Sequence, residues 1–185
     1  MSYNNHIKVA VVASYVSFIE VNMCKAFEKF GIDPWIITSN KQRFGYRRSG
    51  YKFEKYKKNV HLPILIENPL FMNYFPFPIM PNIFNVIKNL NVNIVNVSEH
   101  VSSPTWLFSI YKKKCKKKWK IVLTEHGYRW KTIRDKMYNL LTKKFVVQHI
   151  DGFVAIGLKA KRFLENLGAN SVNVIPNPID CSLFK

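Results

Sequence analysis

The sequence predicts an α/β fold, a doubly wound and mainly parallel sheet with helices on both faces. Three observations lead there. Short apolar runs rich in Val and Ile alternate along the chain with segments of helical periodicity, the order of repeated βαβ units. The apolar runs are close to continuous, as strands covered on both faces are. The 185 residues, 48% of them hydrophobic, suffice for one compact domain with a real core and argue against disorder. Right-handed crossovers then wind the sheet in both directions.

Each element follows from its residues. Ile7 to Ala13 is a β-branched run that ends near the small residues Ser14 and Ser17. Phe18, Val21, Met23, Ala26, Phe27 and Phe30 then recur near helical spacing, and Gly31 suits a helix stop. Asp33 to Ser39 reads as the second strand, with Pro34 near its start, where proline is tolerated. Residues 40–60 are polar, basic and rich in Tyr and Arg, which suggests a long exposed loop with room for a short hairpin. Residues 68–81 are apolar but broken by prolines, and 82–91 return to helical spacing.

A third strand is expected at 92–98. A helix over 103–120 would open with Ser103 as N-cap and Pro104 in its first position. Residues 120–127 read as a strand running into a loop, and 131–149 as a basic amphipathic helix. The last elements are a strand at 151–157, a helix at 158–167 closed by Gly168, and a strand at 172–177. Asp151 reads as a cap or turn residue.

No apolar run reaches the roughly 20 residues of a membrane-spanning helix. The N-terminus lacks the basic-then-apolar pattern of a signal sequence, so a cytoplasmic location is expected. Cys24, Cys115 and Cys181 are widely spaced and form no CxxC. Reduced thiols are expected, and no structural zinc. The formal charge is +18. Such a surface attracts polyanions, whether nucleic acid, anionic lipid or phosphorylated substrates. A Lys-, Asn- and Ile-rich composition of genomic origin is the alternative source of that charge.

In a doubly wound sheet, ligands bind beyond the C-terminal strand ends. Here those ends carry Ser14 and Ser17, Ser39 and Asn40, Ser98 to His100, Thr124 to Tyr128, Ile156 and Gly157, and Pro176 to Asp180.

Five segments also resemble one family in order and spacing. Val172 to Phe184 (VNVIPNPIDCSLF), Asp151 to Ala169, Lys120 to Tyr128 (KIVLTEHGY), Val92 to His100 (VNIVNVSEH) and Ser17 to Thr38 together span nearly the whole chain. They resemble the N-terminal, acceptor-side domain of GT4-type glycosyltransferases of the GT-B architecture. The resemblance implies a Rossmann-like domain over 1–185 that ends at the interdomain hinge. It places the nucleotide-sugar-binding domain, with its E-x7-E pattern, beyond this chain. The implied activity is transfer of a sugar, a hexose in most such enzymes, from a nucleotide-sugar donor to an acceptor with retention of configuration. No cofactor and no metal are implied, and this half alone should be silent.

The resemblance also distributes roles. His126, in Thr-Glu-His-Gly, would contact the donor sugar near the reacting carbon, with a loop histidine held by backbone groups as the alternative reading. Gly127 would let the backbone turn without a Cβ clash. Ser14, Ser17 and Glu20 fall at the donor-phosphate side, although Ser17 and Phe18 stand where the family has two glycines. Glu20 is equally readable as a first-turn helix residue. Ser98, His100 and Tyr128 would face the acceptor, with Glu99 beside them. Asn177 and Asp180 match the hinge, where Pro178 replaces the usual glycine.

Residues 112–120 hold seven lysines, six of them between Tyr111 and Trp119. Either they are a solvated helix end, or they hold the protein on an anionic membrane surface. The aromatic, proline-broken stretch 71–81 would join them there, cradle an acceptor's lipid tail, or fold into the core. Two other readings stay open. One is a basic nucleic-acid-binding α/β protein, although no RRM or helix-turn-helix motif is evident. The other is a non-catalytic membrane-anchoring or acceptor subunit of a split transferase.

Overall fold

A computed structural model of the chain describes residues 7–13, 18–39, 56–63, 80–100, 102–115, 119–127 and 133–176. Its strands are β1 (Lys8–Val12), β2 (Asp33–Ser39), β3 (Asn59–Leu62), β4 (Ile94–Ser98), β5 (Lys120–Glu125), β6 (Gly152–Ala155) and β7 (Val172–Val174). Its helices are α1 (Phe18–Lys29), α2 (Ile83–Asn89), α3 (Ser103–Cys115), α4 (Ile133–Phe145) and α5 (Leu158–Asn166). The strands form one sheet in the order β3-β2-β1-β4-β5-β6-β7. The pairings of β1 with β2, β2 with β3, β5 with β6 and β6 with β7 are all parallel. This is the expected α/β class.

The described residues fall into two compact units, the first running to Val95 and the second from Asn96 to Pro176. In the first, Val9 to Val12 of β1 are all buried, as a strand covered on both faces must be. Val9, Val11, Val21, Cys24, Ile36 and Tyr56 make the core, with Met23, Phe27, Ile32 and Ile94 packed against it. Burial, then the nearby carboxylates Glu20 and Glu28, pushes the Cys24 thiol up to about 12. It is therefore an inert core residue.

Pro34 is tolerated for a geometric reason. Its neighbour Asp33 donates its N–H to Ile7 on the β1 side. The nitrogen of Pro34 faces the other way, toward β3, and that ladder begins only at Ile36, whose N–H reaches the Lys58 carbonyl at 2.9 Å. No ladder bond is lost.

β3 was not expected as such. Within 40–60 the described part is no hairpin arm, because Asn59–Leu62 lies parallel to β2. Polar anchors hold it there: Tyr56 donates to Glu28 at 2.7 Å, and Lys58 pairs with Asp33. The pattern was hidden because one short edge strand carries His61 among its four residues.

In the second unit Val97, Phe108, Ile121, Leu123, Phe153, Ala155 and Leu164 are buried. Asp151 does more than cap a turn. Its carboxylate accepts the Ile121 N–H at 2.8 Å while its own N–H reaches the Ile121 carbonyl at 2.9 Å, which ties the start of β6 to the start of β5. Lys112 and Lys120 pair with the same carboxylate. Burial opposes ionisation, but those lysines and the amide outweigh it and hold Asp151 below the usual carboxylate range.

Several boundaries differ from expectation. The N-cap of α3 is Ser102 rather than Ser103: its Oγ accepts the Thr105 N–H at 3.3 Å and its carbonyl accepts the Trp106 N–H. α3 is described from Ser103 to Cys115 and does not reach residue 120, because Lys120 opens β5. α4 ends at Phe145, and a 3-10 turn (Val147–His149) completes what read as one helix over 131–149. Gly31 and Gly168 do follow α1 and α5, at φ +72° and +92°. Residues 40–55, 64–79, 116–118 and 128–132 lie outside the described residues, so the expectations for those stretches do too.

Candidate active site

β5 places the site. Its buried positions alternate as Ile121, Leu123 and Glu125. The same period that puts two aliphatic side chains in the core therefore puts a carboxylate there, only 1% exposed. An ionised group so buried must be matched by donors.

It is. One oxygen, Oε2, accepts from His100 Nδ1 at 2.7 Å and from the His100 amide at 3.1 Å. The other, Oε1, accepts the Gly127 amide at 3.1 Å. Burial alone would raise the Glu125 pKa, and it is the largest single influence. The His100 ring and the amides of His100 and Gly127 outweigh it, so the carboxyl is held below its usual range. Glu125 is thus ionised, and His100 Nδ1 carries the donated hydrogen. Through this one side chain, the segment after β4 is pinned to the loop after β5.

The segment after β4 is held from its other sides as well. The His100 ring, 4% exposed, lies against Phe163 of α5 with centroids 4.7 Å apart. Trp106 Nε1 donates to the His100 carbonyl at 3.1 Å. Glu99 sits at φ +65°, a conformation that a glutamate rarely adopts. Its N–H reaches the Thr124 carbonyl at 2.8 Å, and its carbonyl accepts the Thr105 hydroxyl at 2.8 Å. With that hydroxyl spent, Ser102 Oγ is the donor in its 2.7 Å contact with Thr105. Thr124 Oγ1 and Asn96 Oδ1, 2.8 Å apart, join β5 to β4 just below.

On this frame His126 is half-buried, and among the described residues its ring has no hydrogen-bond partner. Gly127 beside it stands at φ +80°, and an added Cβ would lie 3.2 Å from the Ala160 Cβ of α5. Both facts disfavour a side chain there. Gly127→Ala should therefore cost about 2 kcal/mol of stability, the usual scale for a non-glycine residue held at such a φ. A fall in the urea midpoint checks this, and an unchanged midpoint would contradict it.

The structure brings together His126, Gly127, His100 and Ser98, which ends β4 half-buried. It places Glu20 in the first turn of α1, in the other unit, buried at 7%. Ser14, Ser17, Tyr128, Asn177 and Asp180 lie outside the described residues. The sequence reading missed Glu125, although a Glu in phase with Ile121 and Leu123 was the signal that could have found it.

A family model described as Glycosyltransferase Family 4 matches residues 21–183. The chain belongs to that family. No curated protein shows a significant match to it. The structure of the Anabaena protein HepE in complex with UDP superposes with a TM-score of 0.61 at 9% identity, over 97% of this chain and 46% of its own. A structure described as a putative UDP-N-acetylglucosamine 2-epimerase from Listeria monocytogenes gives 0.58 at 18% identity, over 93% and 45%. The UDP-N-acetylglucosamine 2-epimerase from Rickettsia bellii gives 0.54 at 14%, over 94% and 45%. At such identities the likeness is one of fold, the Rossmann-like half of a GT-B protein. The family 4 chain spans less than half the length of each of these structures. No described helix is long and apolar enough to cross a membrane.

Proposed function

We propose that this family 4 domain is the acceptor-side half of a retaining glycosyltransferase that uses a nucleotide-sugar donor and works in the cytoplasm. The observation that carries the reading is His126, half-buried and without a hydrogen-bond partner among the described residues, on a loop fixed by Glu125. A side chain held in place yet unengaged is suited to a ligand.

In the proposed reaction, the bond from the anomeric carbon to the diphosphate oxygen breaks, and a bond to an acceptor hydroxyl oxygen forms on the same face. The hydroxyl proton leaves with the diphosphate. His126 hydrogen-bonds the donor sugar beside the reacting carbon. By the family resemblance, the donor-phosphate side is assigned to Gly127, Ser14, Ser17 and Glu20. By the same resemblance, the acceptor side is assigned to Ser98 and Tyr128. His100 takes a different role from the one expected. At 4% exposure and committed to Glu125, it is a positioning residue. A second Rossmann-like domain, in the same polypeptide or a partner, would hold the nucleotide, with Asn177 and Asp180 at the hinge. Diphosphate stabilisation would come from its cations and helix N-termini, without a metal.

The test supplies UDP-glucose, UDP-N-acetylglucosamine and GDP-mannose to the protein carrying this chain, with and without a lipid and oligosaccharide extract as acceptor source. Release of nucleoside diphosphate that depends on the extract is the expected result. Release that is equal without the extract, or none with any donor, would overturn the reading.

A further inference from the structure

Among the described residues, three other than glycine stand at positive φ: Asn91, Glu99 and Ser171. Asn91 and Ser171 are short polar residues in the turns that follow α2 and α5, the setting in which that conformation is usual. Glu99 is neither short nor in such a turn. It directly follows Ser98, the last residue of β4, at φ +65°. The frame of the site holds it there. Its N–H reaches the Thr124 carbonyl, and its own carbonyl accepts the Thr105 hydroxyl and the Ser102 N–H. The next amide, that of His100, is bound by Glu125. Each of these bonds is made by the backbone of the Glu99–His100 segment, so glycine at position 99 would keep them all without strain. A long carboxylate stands at a position whose backbone favours glycine, and strain of this kind collects at ligand sites.

The chemistry of that side chain says what it would meet. The chain has 29 basic residues against 11 acidic ones, so a carboxylate at this strand end runs against the prevailing charge. The other carboxylate of the frame, Glu125, is buried and committed to His100 and Gly127, whereas Glu99 is half-buried. A carboxylate accepts hydrogen bonds and donates none, and its two oxygens match two donors side by side. Neighbouring hydroxyls of a sugar supply such a pair, while a phosphate would set like charge against like. Resting on the acceptor-side reading above, we propose that Glu99 selects a neutral sugar as acceptor by accepting hydrogen bonds from two neighbouring hydroxyls, and disfavours a phosphorylated one.

The test compares Glu99→Gly and Glu99→Gln with the parent protein, using the acceptor extract split by anion exchange into a neutral and an anionic fraction. Glu99→Gly should unfold at a urea concentration no lower than the parent, because it relieves the backbone. Both variants should nonetheless need about tenfold more of the neutral fraction for half-maximal release of nucleoside diphosphate, the scale of one lost charged hydrogen bond. Half-saturation by the donor should stay at the parent's value, which a general disturbance of the fold would not allow. Three results would overturn the proposal: parental dependence on the neutral fraction in both variants, earlier unfolding of Glu99→Gly, or transfer to the anionic fraction alone. A parent silent with all three donors would fail the transferase reading, and this proposal with it. An active parent matched by its Glu99 variants would fail the proposal alone.

Discussion

Replacing Glu125 by Gln should destabilise the protein by about 3 kcal/mol, the scale of breaking a buried, charged hydrogen-bond cluster. The substitution keeps size and shape but turns one carboxylate oxygen into an NH2 group. That group must then face the His100 donors or the Gly127 amide, which leaves a buried donor against a donor. For a chain of this length the melting temperature should fall by about 6–12 °C. The pH dependence supplies a sharper check. The folded pKa lies below its reference of 4.5, so the folded protein holds the Glu125 proton less tightly than the unfolded chain. The stability this contributes is complete above the unfolded pKa and is lost as pH falls through the folded one. The urea midpoint of the parent protein should decline on acidification below about pH 4.5, and Glu125→Gln should flatten that limb. A variant as stable as the parent, with the same acid limb, would remove Glu125 from the frame.

His126→Ala should do the opposite: little to stability, much to turnover. The ring is half-buried and makes no hydrogen bond among the described residues, so its loss should cost less than about 1 kcal/mol. Contact with the sugar at the reacting carbon is worth far more, and acceptor-dependent transfer should fall about 10²- to 10³-fold. The loss should lie in kcat more than in KM, because a contact made chiefly in the transition state does not hold substrates in the ground state. Equal transfer by the variant and the parent would move the chemistry elsewhere.

Much of the architecture is legible in the residues themselves. Buried Val and Ile runs name β1, β2, β4 and β5, and helix-stopping glycines name the ends of α1 and α5. What escaped has physical causes. β3 is four residues long with a histidine among them, too short for periodicity, and its place depends on the contacts Lys58–Asp33 and Tyr56–Glu28, across 25 and 28 residues. Ser102 and Ser103 compete as caps, and only the geometry of Thr105 decides between them. At the site, Thr-Glu-His-Gly points to His126, which is half-buried. The neighbouring glutamate drew no role of its own, although its phase in β5 makes it a core residue. His100 reads as a strand-end ligand until Glu125 is found beneath it, since the pair is separated by 25 residues.

The most direct measurement is a structure of the protein carrying this chain with a nucleoside diphosphate and an acceptor sugar bound. The predicted result is sugar density beyond the C-terminal ends of β4, β5 and β6, with a hydroxyl within hydrogen-bond reach of His126, about 3 Å. Sugar bound instead at the opposite ends of those strands, beside Lys120 and Asp151, with His126 facing only water, would contradict it.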